Sequence, residues 1–446
     1  MSYSETRRQF VHMSMGLFAL LLRVLTWPQA AACALAAFLF NLLVLPRVGG
    51  PSLSRPSDAA RGFPLGILLY PLSVLLLILA FPHRPDIVAA AWAMLAFGDG
   101  AATLVGRAVK RPLLPWNAEK TLAGTAAFVL VGGTTGVLLA WWTRSAVTPA
   151  PPWQFVVFAP LLAALAASLV ESMPVRLDDN LSVPIVAAAV LWGASLVTRE
   201  AWHASAPVLA WMLPLAVAFN AVVAALGWRA GTVSAAGAVG GAAIGTIVLA
   251  GTGFPGWALL FASFLAAAVS SRMGLKRKSV LGIAEEHGGR RGPGNAIANC
   301  GLATALALLA VLSPHRDAVL LAFVAALTSG ASDTVASEIG KAWGRRTFLV
   351  TRLTRVRPGT PGAVSLEGTA AGVVAALGLA ALALALGLVH GNALWFVVIG
   401  ATAGAFVESG LAATLEGPGI VNNDMLNFVN TAVAALVALA CAGAVA

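Results

Sequence analysis

Apolar runs of close to twenty residues recur from one end of the chain to the other, separated by short polar or Gly/Pro-marked breaks. Wound as α-helix, a run of that length matches the hydrocarbon thickness of a bilayer. In the first half the pattern predicts spans over 13–26, 29–46, 64–81, 86–106, 122–142, 154–170 and 181–197. In the second half it predicts 207–226, 232–251, 255–271, 295–312, 317–336, 366–388, 393–412 and 428–445. That is about fourteen or fifteen helices. The period-two alternation of a membrane barrel is absent, so the fold class is an all-α integral membrane protein. The pattern breaks most clearly at 198–206, which divides the chain into two modules, 1–205 and 206–446.

Composition agrees with this reading: 59% of residues are hydrophobic, only 10% are charged, and 45 glycines allow close helix approach. The formal charge of +10 changes the picture through its placement. Lys and Arg gather in three loops, Arg107 to Lys120, Arg272 to Arg291 and Lys341 to Arg357. The positive-inside rule puts such loops in the cytoplasm, here beneath a bacterial inner membrane. Attraction to anionic lipid would also account for them. Nucleic acid is excluded as a partner because there is no basic soluble domain. Cys33, Cys300 and Cys441 all sit in apolar segments without metal-ligand spacing, so neither a disulfide framework nor a zinc site is expected. The N-terminal segment lacks a convincing cleavage site and reads as retained. Oligomeric state is not legible, and a homo-oligomer stays open.

Against this apolar background, acids stand out. Asp99 follows Phe97-Gly98; Glu119-Lys120-Thr121 leads to Gly124-Thr125-Ala126-Ala127; Glu171-Ser172 and Asp178-Asp179-Asn180 come after. The second half gives the same order: Asp333, then Glu367-Gly368-Thr369-Ala370-Ala371, then Glu408-Ser409, then Asn422-Asn423-Asp424. Acids at membrane depth are costly and mostly functional. Two ordered sets therefore predict two related active sites. His12 lies one helical turn beyond Arg8, so both share a face that could meet the first site.

The first half resembles the polyprenol kinase family that includes dolichol kinase and, more closely, the phytol kinases. The resemblance rests on Glu5 to His12, Gly98-Asp99-Gly100, Pro115-Trp116-Asn117-Ala118-Glu119-Lys120, Val170-Glu171-Ser172 and Leu177-Asp178-Asp179-Asn180. The second half resembles the family containing the plant phytyl-phosphate kinase and its transmembrane relatives. Here the matching residues are Leu281 to Arg291, Ala298-Asn299, Ser332-Asp333 through Glu338 to Gly340, Pro361 through Thr369, Glu408-Ser409-Gly410 and Asn427 to Thr431. Together these resemblances imply a fusion that carries a prenol such as phytol, geranylgeraniol or farnesol to its monophosphate and then to its diphosphate. They also imply CTP, or another nucleoside triphosphate, as donor.

Residue chemistry fits phosphoryl transfer independently. A nucleotide polyphosphate needs Mg²⁺, which takes oxygen ligands and keeps several waters, so a few converging carboxylates suffice. In the first half Asp99, Asp178 and Asp179 are the metal candidates, and Asp99, Glu119 and Glu171 are the catalytic candidates. Arg107 and Lys120 are placed on phosphates, with Asn117 and Asn180 as polar supports. In the second half the metal set is Asp333, Glu338 and Asp424, and the catalytic set is Asp333, Glu367 and Glu408. Arg290, Arg291, Asn299 and Lys341 are its nucleotide contacts. A prenol hydroxyl needs a base, Asp99 or Glu171. A prenyl phosphate needs cations against charge repulsion instead. No P-loop motif is present. A secondary transporter with two repeats, or a CTP-dependent cytidylyltransferase acting on a lipid phosphate, are the competing readings.

Overall fold

The computed structural model describes residues 5–48, 65–174, 177–283 and 293–445. The chain falls into two compact units, Met1–Ser195 and Leu196–Ala446. The first contains α1 (Glu5–Met15), α2 (Trp27–Val44), α3 (Leu65–Ala80) and α4 (Pro85–Ala108). A hairpin of β1 (Leu113–Leu114) and β2 (Asn117–Thr121) follows, then α5 (Leu122–Ala146), α6 (Trp153–Glu171) and α7 (Asp179–Ser195).

Helix α4 is the core of this unit, buried from Asp86 through Ala96. Small residues dominate that stretch, which lets neighbouring helices approach on every side. Pro85 fills a first-turn position that needs no amide donor, and Asp86 complements the helix dipole. Arg84 holds Asp86 at 2.8 Å. Before Asp99 the helix widens into a π turn, Met94–Gly98.

The hairpin pairs Leu113 with Thr121 and Leu114 with Asn117. Thr121 both ends the hairpin and caps α5, accepting the Gly124 amide at 3.1 Å. Helices α4 and α5 then touch backbone to backbone. A Cβ on Gly124 would stand 2.9 Å from the Ala102 carbonyl oxygen. Gly98 and Gly100 serve the same end: a Cβ on either would meet the side chain of Phe128 or Met13 respectively.

The second unit contains α8 (Arg199–Arg229), α9 (Ala235–Arg272), α10 (Leu275–Val280), α11 (Pro293–Leu312) and α12 (Arg316–Trp343). After them come β3 (Thr347–Leu349), β4 (Ala363–Ser365), α13 (Leu366–Ala385), α14 (Ala393–Glu416) and α15 (Asn423–Val445). Its core helix is α12, buried from Val319 through Ser332. The cap at the hairpin exit recurs in this unit: Ser365 accepts the Gly368 amide at 3.0 Å. A Cβ on Gly368 would stand 2.5 Å from the Ala336 carbonyl oxygen.

Among the described residues eleven helices are long and apolar enough to cross a membrane, with Leu65–Ala80 and Asp179–Ser195 as shorter apolar ones. The expected total of about fourteen or fifteen spans exceeds this for two reasons. Residues 13–26 form the end of α1 and a 3₁₀ segment, Gly16–Arg23, in place of a full span. The expected spans 232–251 and 255–271 are both in α9, whose Gly253 has φ 70° and ψ −170°. The chain folds back there. A Cβ on Gly245 would lie 3.5 Å from Trp257 Nε1, whereas twelve residues of straight helix would separate those backbones by about 18 Å.

Candidate active site

In the first unit, three acids converge at the end of the helices where α6 finishes and α7 begins. One carboxylate oxygen from each of Asp99, Glu171 and Asp179 lies within 4.8 Å of the others. Each position has a local cause. In the π turn the Asp99 amide bonds to the Met94 carbonyl, one residue further back than in an α-helix. The Leu95 carbonyl is taken instead by His12 Nε2 at 2.8 Å. A carbonyl only accepts, so His12 carries its proton on Nε2. That nitrogen also stands 3.5 Å from Asp99 Oδ2. Glu171 is the last residue of α6, and Asp179 the first of α7.

Lys120, from β2, reaches into this group. Its Nζ pairs with Glu171 Oε1 and lies 3.4 Å from Asp179 Oδ2. Burial works against the lysine's charge, but the carboxylates of Asp179 and Glu171 outweigh it and raise its pKa above the ordinary value. Lys120 is therefore a firm cation beside two acids. The donor set suits a hydrated Mg²⁺ in kind: that ion takes oxygen ligands and keeps several waters, with neighbouring oxygens about 3 Å and opposite ones about 4.2 Å apart, so the three carboxylates would draw together to share it. The lysine now provides the positive charge.

The remaining first-half candidates are elsewhere. Asp178 caps α7, its Oδ1 accepting the Asn180 amide at 3.0 Å and Asn180 Nδ2 at 2.7 Å. It belongs to the helix start, not to the acid group. Asn180 is buried between that contact and Ser73, whose hydroxyl donates to the Asn180 carbonyl at 2.6 Å. Asn117 binds the Ser172 carbonyl at 3.0 Å and its own turn through the Glu119 amide. It fixes the hairpin against the end of α6, as does Trp116 Nε1 on Ser172 Oγ at 3.1 Å. Glu119 and Arg107 are exposed and outside the cluster.

In the second unit Asp333 and Glu408 face each other, with the Asn430 side chain on Glu408. Two carboxylates in such contact must hold a proton or a cation between them. They open on a cavity of about 260 Å³, whose lining includes Lys341, Glu416, Asn423 and Asn427. Asn430 is fixed by Ser329 Oγ at 2.5 Å. Glu408 Oε2 and Asn430 Nδ2 are buried and short of a well-formed hydrogen bond among the described residues.

Glu338, expected with Asp333 in the metal set, lies between two lysines. Its Oε2 is paired with Lys278 and its Oε1 with Lys341 at 3.1 Å. Both oxygens face lysines, so it positions Lys341 on the cavity wall, which Glu338 itself also lines. Lys278 is fully buried and also donates to the Ser271 carbonyl at 2.7 Å. Sequence reading placed it in the basic loop Arg272 to Arg291, where its neighbours Lys276 and Arg277 are exposed.

Asp424 is exposed at the start of α15 and does not line the cavity. Glu367 also lies outside it, with one oxygen buried and unpartnered among the described residues. The expected match of Glu119 with Glu367 fails on geometry. Aligned by their caps, Thr121 with Ser365 and Gly124 with Gly368, Glu119 sits in a strand and Glu367 in a helix. Asn299 is buried where α11 meets Gly330 of α12. Arg290 and Arg291 lie outside the described residues. Glu416 is also on the cavity wall.

Residues 218–435 match the family described as integral membrane protein DUF92. The chain is 38% identical over 200 residues to an uncharacterized membrane protein of Synechocystis, covering 44% of this chain and 77% of that protein. It is 32% identical over 213 residues to Protein VTE6, chloroplastic, of Arabidopsis thaliana, covering 46% and 64%. It is 31% identical over 195 residues to Phytol kinase 1, chloroplastic, of the same plant, covering 40% and 62%. The chain thus spans under two thirds of the two plant proteins. No solved structure matches it.

Proposed function

The chain belongs to the DUF92 family of integral membrane proteins, and on that premise we propose that it is a membrane kinase for isoprenoid alcohols. The relatives named phytol kinase support this class of activity. The single observation that carries it is the convergence of Asp99, Glu171 and Asp179 around Lys120. Carboxylates for a metal beside a fixed cation for phosphate are what phosphoryl transfer to a hydroxyl requires.

In this reading Asp99 is the base that accepts the prenol proton. Glu171 is engaged by Lys120, and His12 has its Nε2 proton committed to Leu95, which leaves Asp99 as the free acceptor. Asp179 would hold Mg²⁺, which supplies charge neutralisation on the donor's phosphates, with water filling the rest of its shell and Asp99 left to the prenol proton. Lys120 would hold a phosphate. The donor is CTP or another nucleoside triphosphate.

The second unit would then take the monophosphate to the diphosphate, making the chain a fusion of two kinases. Its cavity brings Lys341, steadied by Glu338, to a substrate already anionic, where a cation matters more than a base. In each unit the basic loop adjoins the site end of the helices, and the positive-inside rule favours a cytoplasmic orientation.

The test is direct. Purified protein is given Mg²⁺, CTP and labelled geranylgeraniol or phytol, and products are resolved by mass. A monophosphate supports the kinase, and a diphosphate supports both steps. A CMP-bearing product would mean cytidylyl transfer. Unchanged prenol with every nucleotide tried, in folded protein, would overturn the proposal.

A further inference from the structure

The second unit holds another cavity, of about 520 Å³, walled by α8, α9, α11 and α12. That volume is in the range of small-molecule sites, about 300–1,000 Å³. Its walls are aliphatic and aromatic, with Val223, Leu226, Leu260, Phe261, Phe264 and Leu265 among them. The room comes from α9, which presents Gly237, Gly241 and Gly245 at four-residue intervals on this side. Among the polar groups of its wall, Trp257 Nε1 donates to Asn220 Oδ1 at 2.9 Å and Asn220 donates to the Ala216 carbonyl at 2.9 Å, while Ser263 Oγ is buried without a partner among the described residues.

The other end is different. Thr334 and Asn295 line both this cavity and the one that holds Asp333 and Glu408. Helix α12 is the shared wall, turning Gly330 and Ala331 to the apolar side and Ser332 and Asp333 to the acid side. Close to this junction Asn299, which lines the apolar cavity, keeps Oδ1 buried and without a partner among the described residues. An apolar chamber that shares Thr334 and Asn295 with an acid- and lysine-lined one suits a molecule with one hydrophobic chain and one charged head.

We propose that the α8–α9–α11–α12 cavity seats the isoprenoid chain of a prenyl monophosphate whose phosphate enters the Asp333–Glu408–Lys341 chamber. This rests on the kinase reading for the head group, while the seat for the chain stands on the cavity itself. It assigns chain-length selection to α9. Gly241 is the sensitive position, because a Cβ there meets nothing within 4 Å. Gly241 is an exposed position of the chamber's lining, so a larger side chain there has room to enter the chamber without displacing a neighbour.

The experiment uses the full chain in nanodiscs and a geranylgeranyl monophosphate carrying a diazirine at its far end. After irradiation and digestion, label is expected on α8, α9, α11 or α12. It should fall at least about tenfold, about 1.4 kcal/mol in affinity, in Gly241→Trp and stay unchanged in Gly241→Ala. Competition by unlabelled farnesyl monophosphate should survive in Gly241→Trp better than competition by the geranylgeranyl compound. Label elsewhere in the chain, or a co-purified phospholipid that saturating geranylgeranyl monophosphate fails to displace, would overturn the proposal. If Gly241→Trp does not fold, the wild-type label map decides. Labelling needs no phosphoryl transfer. Label in this cavity of a protein that phosphorylates nothing would sink the kinase and keep the seat.

Discussion

Asp99 is aimed by a displaced backbone hydrogen bond. The π turn gives its amide to Met94 and frees Leu95 for His12, so one irregular turn places an acid and an imidazole side by side. Asp99→Asn keeps the shape and removes the acceptor. Prenol phosphorylation should drop by about 10²–10⁴-fold with helix content unchanged by circular dichroism; a drop below tenfold would remove Asp99 as the base. Lys120 makes a different prediction. Its pKa is raised on folding, so its ion pairs contribute stability that is complete below the unfolded lysine value of about 10.4. That contribution is lost as pH rises through the higher folded value. The melting difference between wild type and Lys120→Met should therefore shrink in strong alkali, and it should shrink in acid too, as the partner carboxylates of Asp179 and Glu171 take up protons. Lys278 and Glu338 are both almost wholly buried. Removing either alone should cost about 3–5 kcal/mol, while replacing both by apolar residues should recover much of it. Chemical denaturation of the three variants checks this, and a double-variant loss equal to the sum of the single losses would count against a paired role.

Helices and hairpins differ in how far the sequence reveals them. Apolar runs mark each long span because a bilayer demands them, and the break at Gly253 and Pro255 was visible as residues that do not continue a helix. Two features were not legible. The hairpins are two to five residues per strand and sit in basic loops, where no alternating pattern can build up. The functional grouping of acids depends on caps: Asp178 and Asp179 are neighbours in sequence, yet one closes the helix start and the other faces Lys120. Glu119 and Glu367 were paired by the words around them, whereas the structure pairs the Thr121 and Ser365 caps and the glycines that follow. Those glycines can be tested. Gly124→Ala and Gly368→Ala must each push a core helix away from the hairpin exit, at a cost of about 1–3 kcal/mol. Gly368 should be the worse, since its Cβ would come nearer to a carbonyl oxygen, 2.5 Å against 2.9 Å. Gly378→Ala, on α13 with nothing within 4 Å of a Cβ, should be neutral or stabilising by helix propensity. Thermal unfolding in detergent ranks the three, and a neutral Gly368→Ala would show that the contact yields freely.

For the whole molecule, the decisive property is that each unit carries its own charged cluster, and the two differ in what they supply. The first groups three carboxylates around a lysine; the second has a lysine steadied by Glu338 beside a facing acid pair, which in the proposed reading suits a neutral hydroxyl in the first and an anionic substrate in the second. If these are consecutive steps, the intermediate is a single-chain amphiphile that dissolves in the same bilayer as the enzyme. Handover then needs no passage inside the protein. Asp99→Asn should make nothing from geranylgeraniol yet convert supplied geranylgeranyl monophosphate to diphosphate. Asp333→Asn should stop at the monophosphate. Reconstituted together in one vesicle population, the two variants should restore diphosphate formation, with a lag set by exchange of monophosphate through the membrane. Restoration without a lag would point to mixed oligomers that place a working copy of each site close together. No restoration, with each variant active in its own half-reaction, would mean the intermediate never leaves the protein, and the bilayer would lose its role as the shared pool.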